Sequence, residues 1–190
     1  MPRRAKPLRL VVASTNPGKV GEIEEILAGQ GIELVPRPSD VPDVAETGTT
    51  FEENARLKAR ALAAVTGLPA LADDSGLEVT ALAGRPGVQS ARYAGERATD
   101  AENVALLLDE LRNKADRSAR FATVVVLRWP DGAELVAHGT VEGAIAPEGR
   151  GTGGFGYDPV FVPDEGDGRT FAALRPAEKP AVSHRGRALR

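Results

Sequence analysis

Short apolar runs bounded by turn residues recur along this chain and predict buried strands. Such runs are too short for helices and end at Gly, Pro, Asn, Asp or Ser residues. They lie at residues 8–13, 32–35, 68–72, 77–82 and 160–162, and two longer segments, 120–129 and 134–145, are predicted as long strands. Pro-Asp-Gly at residues 130–132 predicts a hairpin between two long strands, and Ser75 with Gly76 predicts a turn after the third run.

Helical periodicity fills the intervals between several of these runs. Apolar residues at helical spacing follow the first strand and end at Gly29. Capping boxes at residues 50–53 and 99–102 predict the starts of two more helices, which run to Gly67 and to about Lys114. The C-terminal segment is also expected to be helical. This mixture predicts an α/β fold with a partly antiparallel sheet.

Composition narrows the class of protein. A chain of 190 residues with 42% hydrophobic residues can bury the core of one domain. It contains no cysteine and only two histidines, which excludes a disulfide framework, a thiol nucleophile and a Cys-ligated zinc site. Any bound metal should therefore be held by oxygen. Arg9 interrupts the N-terminal apolar run, and no run reaches 18 residues, so a soluble cytoplasmic protein without a membrane partner is expected.

Charge is unevenly distributed along the chain. The net charge of −3 speaks against general binding of nucleic acid. Residues 40–54 hold five acids and no base, whereas residues 169–190 hold six Lys or Arg residues and the single acid Glu178. One segment thus suits a cation and another suits an anion.

A polar hexapeptide, Ser-Thr-Asn-Pro-Gly-Lys, separates the first strand from the first helix. A helix N-terminus presents free N–H groups and the positive end of the helix dipole, which favours a bound phosphate. Side chains there add donors: Ser14, Thr15, Asn16 and Lys19. The alternative is that these residues only cap the helix. A P-loop is excluded because Val20 follows Lys19 where that motif needs Ser or Thr.

Two carboxylates adjoin in the stretch LADDSGLEV. If the strand continues through them, Asp73 and Asp74 point to opposite faces and have different functions. Asp74, at the predicted turn, could bind Mg²⁺ through oxygen or act as a general base on water. The alternative is that both acids only cap the turn.

A glycine-rich stretch, GRGTGGFGYDP, follows the long strands. Its glycine spacing matches a dinucleotide fingerprint, but Gly156 and Pro159 oppose the helix that such a fingerprint must begin. Phe155 on this loop could stack on a base, or it could pack in the core. In the tail, Lys179, His184 and Arg185 could donate to a purine edge or a phosphate, or could lie on an exposed basic helix.

Six segments together resemble the inosine/xanthosine triphosphate pyrophosphatase family. They are STNPGK, ETGTTFEENARLKA, ADDSGLEV, RPGVQSARYAG, GTGGFGYDPVF and EKPAVSHRGRAL, and they follow the family's order between residues 10 and 189. The resemblance implies hydrolysis of ITP, dITP and XTP to the monophosphate and pyrophosphate, which keeps these deaminated purine nucleotides out of DNA and RNA. It also implies one elongated α/β domain, residues 1–190, with two lobes, a long curved mixed sheet and the active site in the cleft between the lobes. Mg²⁺ is the implied cofactor and a homodimer the usual assembly.

Site residues follow from the same resemblance. Asp74 matches the catalytic proton acceptor and metal ligand, and Glu46 matches a second metal ligand. Phe155 would stack on the base. The remaining implied substrate contacts are Ser14, Thr15, Asn16, Pro17, Gly18, Lys19, Ser75, Gly156, Tyr157, Asp158, Lys179, His184 and Arg185.

Two features of the C-terminal segment carry further expectations. Pro180 is expected to hold Lys179 in extended geometry, and the last helix is expected to be short. A non-catalytic nucleotide sensor is one alternative, and a pyrophosphatase for modified pyrimidine or methylated nucleotides is another. A donor such as Arg185 or His184 aimed at a 6-oxo group would favour hypoxanthine and xanthine over adenine.

Overall fold

A mixed sheet of six strands runs through the part of the chain, residues 6–190, that a computed structural model describes. The strands are β1 (Leu8–Val12), β2 (Ile32–Val35), β3 (Ala70–Val79), β4 (Ser118–Arg128), β5 (Glu134–Ile145) and β6 (Phe161–Pro163). Their order in the sheet is β2-β1-β3-β4-β5-β6. β1 pairs in parallel with β2 and β3, and β5 pairs antiparallel with β6. The predicted α/β fold with a partly antiparallel sheet is confirmed.

Helices occupy the predicted intervals. They are α1 (Pro17–Leu27), α2 (Phe51–Thr66), α3 (Asp100–Glu110), α4 (Lys179–Val182) and α5 (His184–Ala188). α3 ends four residues before the predicted Lys114, because the backbone leaves helical geometry at the C-cap Leu111 and the N–H groups of Arg112 and Lys114 then bond only three residues back. The C-terminal segment forms two short helices separated by Ser183 rather than one.

Caps set the ends of α2 and α3 much as predicted. Thr99 and Glu102 form a complete capping box, in which each side chain accepts from the other's backbone N–H. At α2, Thr50 Oγ1 accepts from the N–H of Glu53, and the Glu53 carboxylate accepts mainly from the N–H and hydroxyl of Thr49, with a weaker contribution from the N–H of Thr50. Thr50 therefore caps α2 as predicted, while the stronger bonds of Glu53 are one residue earlier than in the predicted box.

β3 differs from the prediction in a way that matters for the site. The predicted turn at Ser75 and Gly76 is wrong, since the strand continues without a break from Ala70 to Val79. β3 lies between β1 and β4 in the sheet order, so neighbours on both sides offer backbone partners. Ladder bonding and burial override the turn preference of Ser and Gly. Asp73 and Asp74 consequently lie in the middle of a strand and not at its end.

The chain divides into two compact units. The first unit takes the chain up to Asp74 together with 124–137 and Leu189. Its core joins α2 to strand residues: Ala55, Ala59, Leu62 and Ala63 pack with Val11, Ala13, Ala70, Ala72, Val124 and Val126. Alanines on the buried face of α2 let its backbone approach the strands closely.

The second unit comprises 75–123, 138–188 and Arg190. Its core contains an aromatic group in which Phe121 contacts Phe161 and Phe171, with ring centroids 4.7 and 5.8 Å away. Leu107 of α3 and Leu111 complete the same core. The prediction of one domain for residues 1–190 stays a prediction.

The prediction of a soluble cytoplasmic protein rests in part on N-terminal residues that the structure does not describe. Residues 1–5, with the basic start of the chain, are not among the described residues. From residue 6 onward, none of the helices has the length and apolar character needed to cross a membrane.

Gly139 of β5 provides a test of the packing in the second unit. A methyl group on Gly139 would overlap the carbonyl oxygen of His184 and approach the backbone nitrogen of Ala188 to 2.8 Å. We expect Gly139→Ala to lower the free energy of unfolding by about 1–3 kcal/mol, the usual cost of overpacking, in urea denaturation followed by circular dichroism. The control is Gly149→Ala, whose methyl would meet only Pro159 Cβ at 3.6 Å. Equal stability of the two variants would contradict this packing.

Candidate active site

The polar loop before α1 is organised by its own side chains. Asn16 is the N-cap of α1, and its Oδ1 accepts from the N–H groups of Gly18 (2.9 Å) and Lys19 (3.2 Å). Ser14 Oγ accepts from the N–H of Asn16 at 3.2 Å. The capping interpretation is thus confirmed for Asn16, whereas Ser14 bonds the N–H of Asn16, which precedes the helix. An anion at this helix terminus would have to share the N–H groups of Gly18 and Lys19 with Asn16.

Lys19 is held by a buried carboxylate. Its Nζ lies 3.2 Å from Oδ2 of Asp73, and the Asp73 side chain is fully buried while that of Lys19 is 17% exposed. A buried carboxylate is stable only when it is paired and hydrogen-bonded. Asp73 therefore positions the ammonium group of Lys19, which the sequence had predicted as a triphosphate contact.

Asp74 and Glu46, the two predicted metal ligands, contact the same cation. Nζ of Lys58 lies 3.1 Å from Oδ1 of Asp74 and 2.9 Å from Oε1 of Glu46. The side chains of Asp74 and Lys58 are 7% and 12% exposed, so this contact is largely screened from water. Although 28 residues separate them in the sequence, the two carboxylates are brought together at one positive charge.

Asn54 completes the surroundings of Asp74. Its Nδ2 donates to Oδ2 of Asp74 at 3.2 Å, and its Oδ1 accepts from the N–H of Gly48 at 2.8 Å. A methyl on Gly48 would lie only 2.6 Å from Cβ of Glu53 and 2.7 Å from Oδ1 of Asn54, so the close approach requires glycine. The segment ETG thus reaches Asp74 through Asn54.

Sequence reasoning missed Asn54 and Lys58. They lie four residues apart on α2 and therefore on one face of the helix. Asn54 is fully buried beside Ala55 and Ala59. The buried face of α2 is otherwise apolar, so a polar residue on it, Asn54, followed four residues later by Lys58, is the signal that could have identified the pair.

We call one group of side chains the carboxylate–lysine cluster: Lys19, Glu46, Lys58, Asp73 and Asp74. For both Asp74 and Lys58, burial and charge pairing shift the pKa in opposite directions. Burial raises the pKa of Asp74 above its ordinary value, and the nearby lysines lower it only in part. Burial lowers the pKa of Lys58, but the three carboxylates raise it by more, so Lys58 stays protonated at neutral pH. With all five groups ionised the cluster carries a net charge of −1, from three carboxylates and two ammonium groups.

The donor set of this cluster fits Mg²⁺. Magnesium is usually bound by one or two carboxylates, with waters and substrate phosphates completing six oxygens. Asp74 and Glu46 supply two carboxylates that already contact one cation. Within residues 6–190, no group of three or more His, Cys, Asp or Glu side chains forms a candidate metal site.

A second set of predicted residues meets around the glycine-rich loop. The N–H of Phe155 donates to Oδ2 of Asp158 at 2.9 Å, and Nζ of Lys179 lies 2.5 Å from the same oxygen. The ammonium group of Lys179 lies 4.6 Å from the centroid of the half-buried Phe155 ring. A methyl at Gly154 would overlap the Asp158 carboxylate, so glycine is required there.

Arg185 joins this group from α5. The residue is 1% exposed, and its Nη2 donates to Oγ of Ser75 at 3.0 Å. Its guanidinium carbon lies 5.9 Å from the Phe155 centroid. The structure therefore brings together five predicted site residues, which we call the glycine-loop cluster: Ser75, Phe155, Asp158, Lys179 and Arg185.

Three other predicted contacts of this region have structural partners. Tyr157 is 3% exposed within the core, and its hydroxyl donates to the carbonyl of Ser90 at 2.9 Å. His184 stacks on Phe121 with centroids 4.8 Å apart. The N–H of Gly156 donates to the Asp100 carboxylate at 2.6 Å. Tyr157 thus packs in the core, and the substrate contacts of Tyr157, His184 and Gly156 stay predictions.

The expected effect of Pro180 on Lys179 is wrong. Lys179 begins α4, and Pro180 lies in the first helical turn instead of following an extended residue. Proline is tolerated there because the N–H that it lacks would have no partner inside the helix. The contact of Lys179 with Asp158 holds the side chain in place. α5 is short, as predicted, and the Arg190 guanidinium donates to the carbonyl of Gly186 at its end.

Comparison with known proteins decides the family. The model of the Ham1 family matches residues 10–190. The chain belongs to the Ham1 family. The resemblance inferred from the six segments is thereby confirmed, since all of them lie inside the matched residues.

Several relatives are similar to this Ham1 protein over almost their whole length. A dITP/XTP pyrophosphatase of Symbiobacterium thermophilum is 50% identical over 183 residues, which cover 95% of this chain and 91% of that protein. A solved HAM1 protein from Coxiella burnetii superposes with a TM-score of 0.87 at 50% identity and covers 96% of this chain and 94% of its own. The Staphylococcus aureus Ham1 structure gives 0.83 at 43% identity, with 95% and 94% covered.

Tyr157 offers a test of the loop's attachment to the core of this Ham1 protein. Tyr157→Phe keeps the buried ring but leaves the Ser90 carbonyl without the hydroxyl that donates to it. We expect it to lower the free energy of unfolding by about 1–3 kcal/mol, the cost of leaving a buried acceptor unsatisfied. Urea denaturation of the purified variant measures this. An unchanged midpoint and slope would show that the hydroxyl contributes nothing to stability.

Proposed function

We propose that this Ham1 protein is a nucleoside triphosphate pyrophosphatase that hydrolyses the deaminated purine nucleotides ITP, dITP and XTP to the monophosphate and pyrophosphate. The observation that carries the proposal is the meeting of Asp74 and Glu46 at the Lys58 ammonium group. Such a set of carboxylates and lysines suits a metal–triphosphate complex. The names of the similar proteins, dITP/XTP pyrophosphatase, support the same reaction.

Phosphate binding is assigned to the carboxylate–lysine cluster. Lys19, held by Asp73, and Lys58 supply positive charge toward the triphosphate. Asp74 and Glu46 would hold Mg²⁺, which when bound neutralises charge on the phosphates and favours attack by water. No covalent nucleophile is needed for cleavage between the α- and β-phosphates.

Asp74 is assigned as the proton acceptor. Its carboxylate is buried and hydrogen-bonded by Asn54, so its orientation is set before substrate arrives. Burial raises the pKa of Asp74, which makes its carboxylate a stronger base than an exposed aspartate. Taking a proton from the attacking water is therefore a reaction that this residue is suited to perform.

Base recognition is assigned to the glycine-loop cluster. Phe155 can stack on a purine, while Lys179 and Arg185 carry N–H donors beside its ring. A 6-oxo group accepts from such donors, whereas the 6-amino group of adenine is itself a donor and leaves them unsatisfied. Assembly as a homodimer and a cytoplasmic location follow from the resemblance and stay predictions.

Substrate preference is the first test of this proposal. We expect kcat/KM for ITP, dITP and XTP to exceed that for ATP by at least about 100-fold, the discrimination that a mismatched buried polar contact can supply. A panel of triphosphates assayed for pyrophosphate release with and without Mg²⁺ measures it. Equal rates on ATP would contradict the assignment of the base pocket, and full activity in EDTA would contradict the magnesium site.

Asp74→Asn tests the assignment of the proton acceptor. The amide keeps the size of the side chain but loses its charge and basicity, so we expect kcat to fall by about 10²-fold or more. Asp73→Asn is the matched control, since that carboxylate holds Lys19 and should act mainly through KM. Rates of pyrophosphate release at saturating Mg²⁺ distinguish the two. An Asp74→Asn enzyme with the wild-type kcat would place the chemistry on another residue.

Phe155→Ala tests the stacking of the base. Loss of a base–aromatic stack should weaken substrate binding by about 1–3 kcal/mol. We expect only a small change in melting temperature, because the ring is half-buried on a loop and lies outside the core cluster of the second unit. The measurements are KM for ITP and a thermal melt. A melt that collapses while KM is unchanged would assign Phe155 to the core.

A further inference from the structure

Lys58 occupies the place where the two proposed metal ligands meet. Its ammonium group lies 2.9 Å from Glu46 and 3.1 Å from Asp74, and it contacts one oxygen of each carboxylate. Oδ2 of Asp74, the other oxygen of that group, accepts from Asn54. A metal ion bound by the same two carboxylates would therefore compete with an ammonium group that is already hydrogen-bonded to both.

Burial makes this competition strong. The Lys58 and Asp74 side chains are 12% and 7% exposed, so water screens their charges little. A divalent cation placed at these oxygens would also be repelled by the ammonium charge. Lys19 has its ion pair with Asp73, and its charge acts on Asp74 as well.

Nucleotide phosphates change this competition between Lys58 and Mg²⁺ for the two carboxylates. Lysine carries its charge on a flexible four-carbon stem with three rotatable donors, so it can exchange a carboxylate partner for a phosphate oxygen. Phosphate oxygens are also ligands that Mg²⁺ prefers. An arriving triphosphate would thus offer Lys58 a new partner and offer the metal additional ligands in the same step.

We propose that Lys58 acts as a resident cation that keeps Mg²⁺ off the Asp74–Glu46 pair until a nucleotide is bound, so that metal and nucleotide bind as a coupled pair. This inference rests on the proposed function and specifies how its metal site is controlled. In the nucleotide-free protein Lys58 offsets one of the two negative charges of Asp74 and Glu46. In the nucleotide complex the ammonium group of Lys58 contacts the phosphates instead.

Isothermal titration with MgCl₂ tests the proposal without any turnover. In the absence of nucleotide we expect Lys58→Met to bind Mg²⁺ at least about 10-fold more tightly than wild type. Lys58→Arg, which keeps the charge, should bind as weakly as wild type. Arg60→Met is the matched control, because it removes one positive charge from an exposed position on the same helix. It should leave Mg²⁺ affinity unchanged.

A second titration uses the α,β-methylene analogue of ITP, which the enzyme cannot cleave between those phosphates. Wild type should bind Mg²⁺ at least about 10-fold more tightly with the analogue than without it, and coupling requires the reverse effect of Mg²⁺ on the analogue. The gain should be smaller in Lys58→Met, because the competing charge is already absent.

Thermal melts provide a readout that does not depend on nucleotide. Removing Lys58 takes one ammonium partner from the buried Asp74 and from Glu46, so Lys58→Met should melt below wild type in EDTA and gain more from added Mg²⁺. Lys58→Gln, which keeps one donor, replaces Lys58→Met throughout if the methionine variant does not fold.

The outcomes separate this proposal from the proposed function. If Lys58→Met and Lys58→Gln bind Mg²⁺ no more tightly than wild type, while the analogue still promotes Mg²⁺ binding to wild type, Lys58 does not control the metal and the pyrophosphatase proposal stands. If Mg²⁺ binds to no form of the protein even with the analogue, the magnesium site itself is wrong and both proposals fall.

Discussion

Two adjacent buried carboxylates in the middle of β3 impose the main physical constraint on the first unit. Burying a charge is costly unless a partner of opposite charge and hydrogen bonds accompany it. Asp73 is accompanied by Lys19 and Asp74 by Lys58. Because strand residues alternate between faces, the two acids recruit their cations from different elements, α1 and α2. One lysine of α1 and one of α2 are therefore each paired with one of these two adjacent acids.

A comparable arrangement organises the glycine loop of the second unit. Asp158 is 2% exposed and accepts from both the Phe155 backbone and the Lys179 ammonium group. The ring and the cation are thus oriented by one carboxylate. Gly154 is glycine for the same reason, since a side chain there would occupy the position of that carboxylate. In both units buried acids act mainly by orienting lysines, and these lysines carry the proposed contacts with substrate.

Local signals in the sequence were sufficient for most of the secondary structure. The strands β1, β2, β4 and β5 and the helices α1, α2 and α3 follow from apolar spacing, from caps and from turn residues such as 130–132. These signals act over a few residues, and their physical causes do not depend on distant parts of the chain. The family could also be inferred, because short segments in a fixed order were specific enough to indicate it.

Tertiary structure decided what depends on neighbours distant in sequence. The predicted turn at Ser75 and Gly76 became strand because β3 lies between two other strands. Lys58 and Asn54 were missed because the carboxylate that they contact lies 16 and 20 residues away, and local patterns do not show which helix packs beside that strand. The sequence by itself determined which residue types could bind a metal, a phosphate or a base. Only the folded chain determined which carboxylate each lysine contacts, since burial and pairing of charge depend on what the fold places beside each group.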